Sequence, residues 1–173
     1  MGGVAAGTGA AIFVSDMDKW RALKIPKARG HIAQLAANES ACTGCGTCEL
    51  VCAAAHEKAV GPALRRIWLD RDAINLVYRI SACLQCDYPT CYFACPLKDE
   101  ALCIDGVTKA RYIVSEKCQP GCDICIKACL LDPPRINFDR ERNVPLMCDL
   151  CKDRQTGPAC VELCPAACLE LRA

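Results

Sequence analysis

Sixteen of the chain's eighteen cysteines fall into four groups of four, and their spacing is the chemistry this sequence carries most plainly. Cys42, Cys45, Cys48 and Cys52 are spaced C-x2-C-x2-C-x3-C. Cys83, Cys86, Cys91 and Cys95 follow C-x2-C-x4-C-x3-C, with Pro96 next. Cys118, Cys122, Cys125 and Cys129 follow C-x3-C-x2-C-x3-C. Cys148, Cys151, Cys160 and Cys164 follow C-x2-C-x8-C-x3-C, and Pro165 comes after them. Three thiolates in one short loop can grip three irons on one side of a 4Fe-4S cubane. The fourth cysteine of such a run, facing away, can serve a neighbouring cluster, and a proline often follows it. The expected cofactors are therefore four 4Fe-4S clusters.

Two other uses of thiols compete with this one. Structural zinc draws on two separated C-x2-C pairs, whereas here a triplet plus one recurs and two of the fourth cysteines carry the proline. Disulfides require an oxidising compartment. Met1 to Ser15 is small and uncharged, no Lys or Arg precedes Lys19, and Arg65-Arg66 lies too deep for a twin-arginine signal. Fifteen residues are also too few for a membrane span. A reducing cytoplasm with metal-bound thiols is the expectation.

The formal net charge is +1 with no basic block, which gives nucleic-acid binding no electrostatic support. Four cluster sites, each about −2, would carry the loaded protein to about −7. Only nine residues are aromatic, too few for an ordinary core, so metal must help to organise the interior.

Groups two and four share C-x2-C followed by P-x-C-x3-C-P, with Pro89 matching Pro158 and Pro96 matching Pro165. Groups one and three share the compact form, so the chain reads as two halves of similar plan. Short apolar segments flank the groups at His31–Ala36, Ile67–Leu69, Ile74–Ile80, Ala101–Ile104, Arg111–Val114 and Leu169–Leu171. Asp105-Gly106 is a hairpin signal between two of them. A helical turn is expected after each fourth cysteine, giving an α+β protein of short antiparallel strands and short helices. Residues 1–30 form a cysteine-free extension that reads either as a loosely ordered arm or as a docking or assembly arm, towards the catalytic chain or copies of this chain itself.

Of the remaining residues, Cys103 is expected as a buried thiol inside a strand. Cys168, four residues after Cys164, is a spare thiol rather than a ligand. His56, Trp68 and Tyr78 read as packing residues, and Tyr88 and Tyr92 as shields of the second group.

The four groups together resemble the four-cluster ferredoxin subunits that accompany molybdenum and tungsten oxidoreductases. That resemblance implies two tandem ferredoxin-like lobes, residues 31–70 with 140–173 and residues 71–139. It also implies crossed ligation. Cys42, Cys45 and Cys48 would share a cluster with Cys164, and Cys148, Cys151 and Cys160 one with Cys52. Cys83, Cys86 and Cys91 would share one with Cys129, and Cys118, Cys122 and Cys125 one with Cys95. The stretch Cys42-Thr-Gly-Cys-Gly-Thr-Cys-Glu-Leu-Val-Cys, with His56 and Gly61-Pro-Ala-Leu-Arg-Arg-Ile67, is similar to small ferredoxin subunits of tungsten aldehyde oxidoreductase and benzoyl-CoA reductase-type enzymes. The third group departs from the family in the extra residue of Gln119-Pro120-Gly121, a turn that could bulge and keep the ligand.

The function implied is non-catalytic. The chain would relay single electrons between a large catalytic subunit holding a tungsten or molybdenum cofactor and an external donor, acceptor or flavoprotein. No Ser–His–Asp set, H-E-x-x-H, P-loop or strand-borne G-x-G-x-x-G is present. The rivals are a free polyferredoxin shuttle, a ferredoxin associated with hydrogenase or carbon monoxide dehydrogenase, and a zinc-stabilised interaction module.

Overall fold

The computed structural model describes residues 32–172, so the expected arm at residues 1–30 lies outside the described residues. Eight short strands pair as four antiparallel two-stranded sheets. β1 (Gln34–Ala37) pairs with β8 (Leu169–Arg172), joining the two ends of the described chain. The other pairs are sequential: β2 (Ile67–Asp72) with β3 (Val77–Ala82), β4 (Leu102–Ile104) with β5 (Arg111–Ile113), and β6 (Ile136–Asp139) with β7 (Val144–Met147). The helices are α1 (Thr47–Glu57), α2 (Thr90–Ala94), α3 (Ile124–Lys127) and α4 (Ala159–Glu162). This is the small α+β architecture of short strands and few helices that the sequence predicts.

The helices do not stand where they are expected. Each contains the third cysteine of its group, and only α1 runs on past the fourth. The x3 spacing explains this, because it is close to one helical turn and carries the chain from the third cysteine to the fourth. Pro96 and Pro165 then stop two of the helices. In the third group Pro133 and Pro134 follow Cys129 too closely for a helix to restart. α1 continues because no proline follows Cys52 until Pro62, and it ends at Lys58 in a left-handed cap (φ 52).

The Asp105-Gly106 signal does make a hairpin, but not as a two-residue turn. The Asp105 carboxylate accepts the Val107 and Thr108 N–H groups at 3.0 and 2.6 Å, and Lys109 turns the chain back at φ 60. β6 and β7 were not anticipated, because Pro145 inside β7 disguises the alternation; the ladder accepts it opposite Phe138. Cys103 corrects another expectation. It is half-buried, since β4 turns Leu102 inward, and its thiol donates to the Glu100 carbonyl at 3.4 Å.

Two apolar cores are present. One gathers Ile67, Ala82, Ala110, Leu150 and Leu169 with Cys48, Cys52, Cys148, Cys160 and Cys168, so half its buried members are cysteines. The other holds Leu102, Cys125, Ile136 and Met147. α1 packs on α4 beside the first, and α2 packs on α3 beside the second. Hairpins β2–β3 and β6–β7 both run across the lobe limits expected at residues 70 and 139. Among the described residues, no helix is long and apolar enough to cross a membrane.

Candidate metal centres

All eighteen cysteines lie in the described residues as free thiols. Each group bends its first two cysteines towards one point by the same device. The residue before the second cysteine has a left-handed backbone: Gly44 at φ 70, Gln85 at 50, Gly121 at 80 and Leu150 at 58. This aligns the third group with the others despite its extra residue. Cys122 N–H bonds the Gln119 carbonyl at 3.1 Å, so the insertion is taken up as a turn before the ligand loop. Gly44 has a second reason to be glycine, since a Cβ there would meet the Tyr78 ring at 2.5 Å.

The thiols come together across groups. Cys42, Cys45, Cys48 and Cys164 line one cavity with Leu69, Ile80 and Leu169. The Thr47 hydroxyl, 3.4 Å from the Cys45 Sγ, holds that thiol below its ordinary pKa, whereas burial and the Glu49 charge push Cys48 up to about 11. Cys168 lines the same cavity with its Sγ 3.5 Å from that of Cys164. Burial works against ionisation of Cys164, but the backbone and thiol of Cys168 hold its pKa below the ordinary value. Cys168 itself is pushed up to about 12, by burial and by Cys164.

Cys52 faces the fourth group. Burial, then the charges of Cys52, Cys151 and Cys48, push Cys160 up to about 12. Cys148 is raised well above its ordinary value by burial, with Cys52, Cys160 and Cys83 adding to the effect. The Arg66 N–H points at the Cys52 Sγ at 3.3 Å. Beside it His56 donates through Nδ1–H to the Cys52 carbonyl (2.9 Å), and its Nε2 stands 2.8 Å from Asp149 Oδ1. Burial disfavours the imidazolium, yet Asp149, Cys151 and Cys52 together raise His56 to about 12. His56, Asp149 and Cys151 bring one ligand-type atom each within 4.8 Å of one another. The link between His56 and Asp149 was invisible in sequence, because 93 residues separate the partners.

Cys83, Cys86, Cys91 and Cys129 line a second cavity with Gln85, Arg111, Leu130, Arg135, Ile136 and Met147. Burial pushes Cys83 up to about 12 and Cys91 to about 11, and the charges of Cys86 and Cys129 raise both further. Gln85 is fully buried and clamps the loop. Its amide donates to the Cys148 and Arg111 carbonyls at 2.6 and 3.2 Å and accepts the Arg111 N–H at 2.7 Å. The Arg135 N–H points at the Cys129 Sγ at 3.5 Å. Tyr88 and Tyr92 both pack on Phe93 beside Cys91, and Tyr92 donates to Asp99 at 2.6 Å.

Cys95 lies with the third group. Burial pushes Cys125 up to about 12, with Cys91, Cys118, Cys122 and Cys95 adding to it. Cys118 is raised by burial and by Cys122 and Cys95. Three thiols also feel the neighbouring set: Cys160 feels Cys48, Cys148 feels Cys83, and Cys125 feels Cys91.

These residues fit iron–sulfur clusters on the chemistry of the donor set. Buried thiols whose pKa values climb to 11 or 12 gain little from protein partners, and irons would supply the cation that their thiolate forms need. Backbone N–H groups already point at Cys52 and Cys129 sulfurs, the contact that tunes such clusters.

The family of 4Fe-4S dicluster domains matches residues 74–173. YsaA of Escherichia coli (strain K12), named for electron transport, is 31% identical over 144 residues, covering 78% of this chain and 85% of that one. The polyferredoxin-like subunit of an aliphatic sulfonate oxidoreductase from Pyrococcus furiosus is 38% identical over 129 residues, covering 73% and 68%. The iron–sulfur subunit of a formate dehydrogenase from Haemophilus influenzae is 28% identical over 195 residues and covers 95% of this chain, which spans 61% of that subunit. The chain therefore belongs to the 4Fe-4S dicluster-domain family and is related to the iron–sulfur subunits of oxidoreductases.

Proposed function

We propose that this chain is a non-catalytic electron-transfer subunit that relays single electrons through four 4Fe-4S clusters. The ligand sets are Cys42, Cys45, Cys48 with Cys164; Cys148, Cys151, Cys160 with Cys52; Cys83, Cys86, Cys91 with Cys129; and Cys118, Cys122, Cys125 with Cys95. One observation carries this reading: Cys164 lines a cavity with Cys42, Cys45 and Cys48, and Cys129 lines one with Cys83, Cys86 and Cys91, so the fourth cysteine of one group lies beside the first three of another. The two apolar cores support two ferredoxin-like lobes, the first built on α1 and α4 and the second on α2 and α3.

When bound, the clusters would supply one-electron exchange. The protein's part is to hold and separate them. The electrostatic influence of Cys48 on Cys160, of Cys83 on Cys148 and of Cys91 on Cys125 supports neighbouring sets in the order just given. An electron entering beside Cys164 could leave beside Cys122 through neighbouring sites alone.

The partner proposed is a large catalytic subunit with a tungsten or molybdenum cofactor, of the aldehyde oxidoreductase type. An external carrier or a flavoprotein would exchange electrons at the other end of the line. Relatives that are subunits of sulfonate oxidoreductase and formate dehydrogenase support a catalytic partner. Eighteen free thiols suit a reducing cytoplasm. The test is anoxic capture of the native complex through this chain, with tungsten, molybdenum, nickel and zinc quantified. Tungsten or molybdenum in a co-purifying large subunit is the expected result. Nickel would move the chain to a hydrogenase or carbon monoxide dehydrogenase, and capture of the chain alone would favour a free shuttle.

A further inference from the structure

Arg111 and Arg135 both line the cavity among Cys83, Cys86, Cys91 and Cys129. Arg111 is 3% exposed, and its Nε is buried without a hydrogen-bond partner; Arg135 is half-buried as a residue, with its Nε and Nη1 buried and likewise unpartnered. Neither guanidinium forms an ion pair with a carboxylate among the described residues. A guanidinium cannot shed its proton, and an uncompensated buried charge is costly. Two such groups beside one set of four thiols imply an anion between them.

The other sites differ, and in the third cysteine group Lys127 is exposed and already paired with Asp123 at 2.8 Å. The cavity of Cys42, Cys45, Cys48 and Cys164 is lined by no charged side chain. Beside Cys52, Arg66 is already paired with Glu57 at 2.9 Å and lies 3.7 Å from Asp149. Asp87 acts on Arg111 but does not bond it, and the thiolates of Cys83, Cys86 and Cys91 act on it more strongly.

Resting on the function proposed above, we infer that Arg111 and Arg135 make the site of Cys83, Cys86, Cys91 and Cys129 the most oxidising of the four. Reduction adds one negative charge, and uncompensated cations in a low-dielectric pocket favour it more than solvent-screened ones do. The first electron to enter the chain comes to rest there, at an interior position of the line. Arg111 also carries the loop, since it donates to the Gln85 carbonyl at 2.6 Å. Arg135 is the cleaner probe, because its backbone bond to Cys129 survives substitution of the side chain.

The experiment is an anaerobic redox titration of the full, cluster-loaded chain followed by electron paramagnetic resonance. Arg135→Met and Arg135→Gln are compared with Arg135→Lys, so that one poorly folding variant leaves a second neutral one. The neutral variants should lower the highest of the four midpoint potentials by at least tenfold in the reduction equilibrium, 59 mV for one electron. The lysine variant should restore it, and the other three potentials should stay. An unchanged highest potential, or a shift confined to a lower one, overturns the inference and leaves the relay intact. A wild-type chain that binds no clusters overturns both.

Discussion

His56 Nε2 stands 2.8 Å from Asp149 Oδ1, and this bond ties the helix that leaves the first cysteine group to the loop of the fourth. Asp149 also accepts the Cys151 N–H at 3.0 Å, so one carboxylate fixes both the helix and a ligand loop. Replacing His56 with Ala leaves a buried acceptor short of its donor. The loaded chain should lose about 1–3 kcal/mol in urea unfolding. A loss below about 0.5 kcal/mol, as for an ordinary surface change, would mean that Arg66 alone satisfies Asp149.

Crossed ligation predicts which losses add. Cys45→Ser and Cys164→Ser strike one proposed site, so the double variant should lose about four irons, no more than either single variant. Cys160→Ser with Cys164→Ser strikes two sites and should lose about eight. If the second pair lost only four, group four would keep its own fourth cysteine.

The loops predict an order among glycine variants. Gly44→Ala places a Cβ 2.5 Å from the Tyr78 ring at φ 70, whereas Gly121→Ala meets only Asn143 Nδ2 at 3.4 Å. Gly44→Ala should therefore cost more than the roughly 1–3 kcal/mol of left-handed strain the two share. It should also empty the site of Cys42, Cys45 and Cys48, seen as lost iron. Equal iron content in both variants would contradict the loop geometry.

Asp139 predicts a pH dependence away from the metal sites. Burial opposes its ionisation, but the Arg142 side chain and the Arg142 and Glu141 N–H groups hold its carboxyl below 3.8. Its folded pKa is thus depressed, so its stabilisation is complete above the unfolded value and is lost as pH falls below it. The stability gap between wild type and Asp139→Asn should be level from neutral pH down to about 5 and shrink only in stronger acid. A gap that closed between pH 7 and 5 would assign the dependence to another group.

The sequence made the iron–sulfur character legible because thiol chemistry is local: four cysteines in a short run announce a cluster wherever they fold. The turn at Gln119-Pro120-Gly121 was equally readable, since Pro and Gly mark it and the Cys122 N–H closes it on the Gln119 carbonyl. Placing the helices after the fourth cysteines failed because the x3 spacing is itself the helical turn. Arg111, Arg135 and Asp149 were passed over because their meaning lies in long-range neighbours. A lone arginine in a sequence has no sign of being buried without a partner. β6 and β7 were hidden by Pro145, whose place at β7 only the pairing explains.

The most direct test of the account is the iron, acid-labile sulfide and zinc content of the full chain purified without oxygen. Four clusters predict about sixteen irons and sixteen sulfides per chain, with signals that appear on reduction. Zinc bound without sulfide would contradict it.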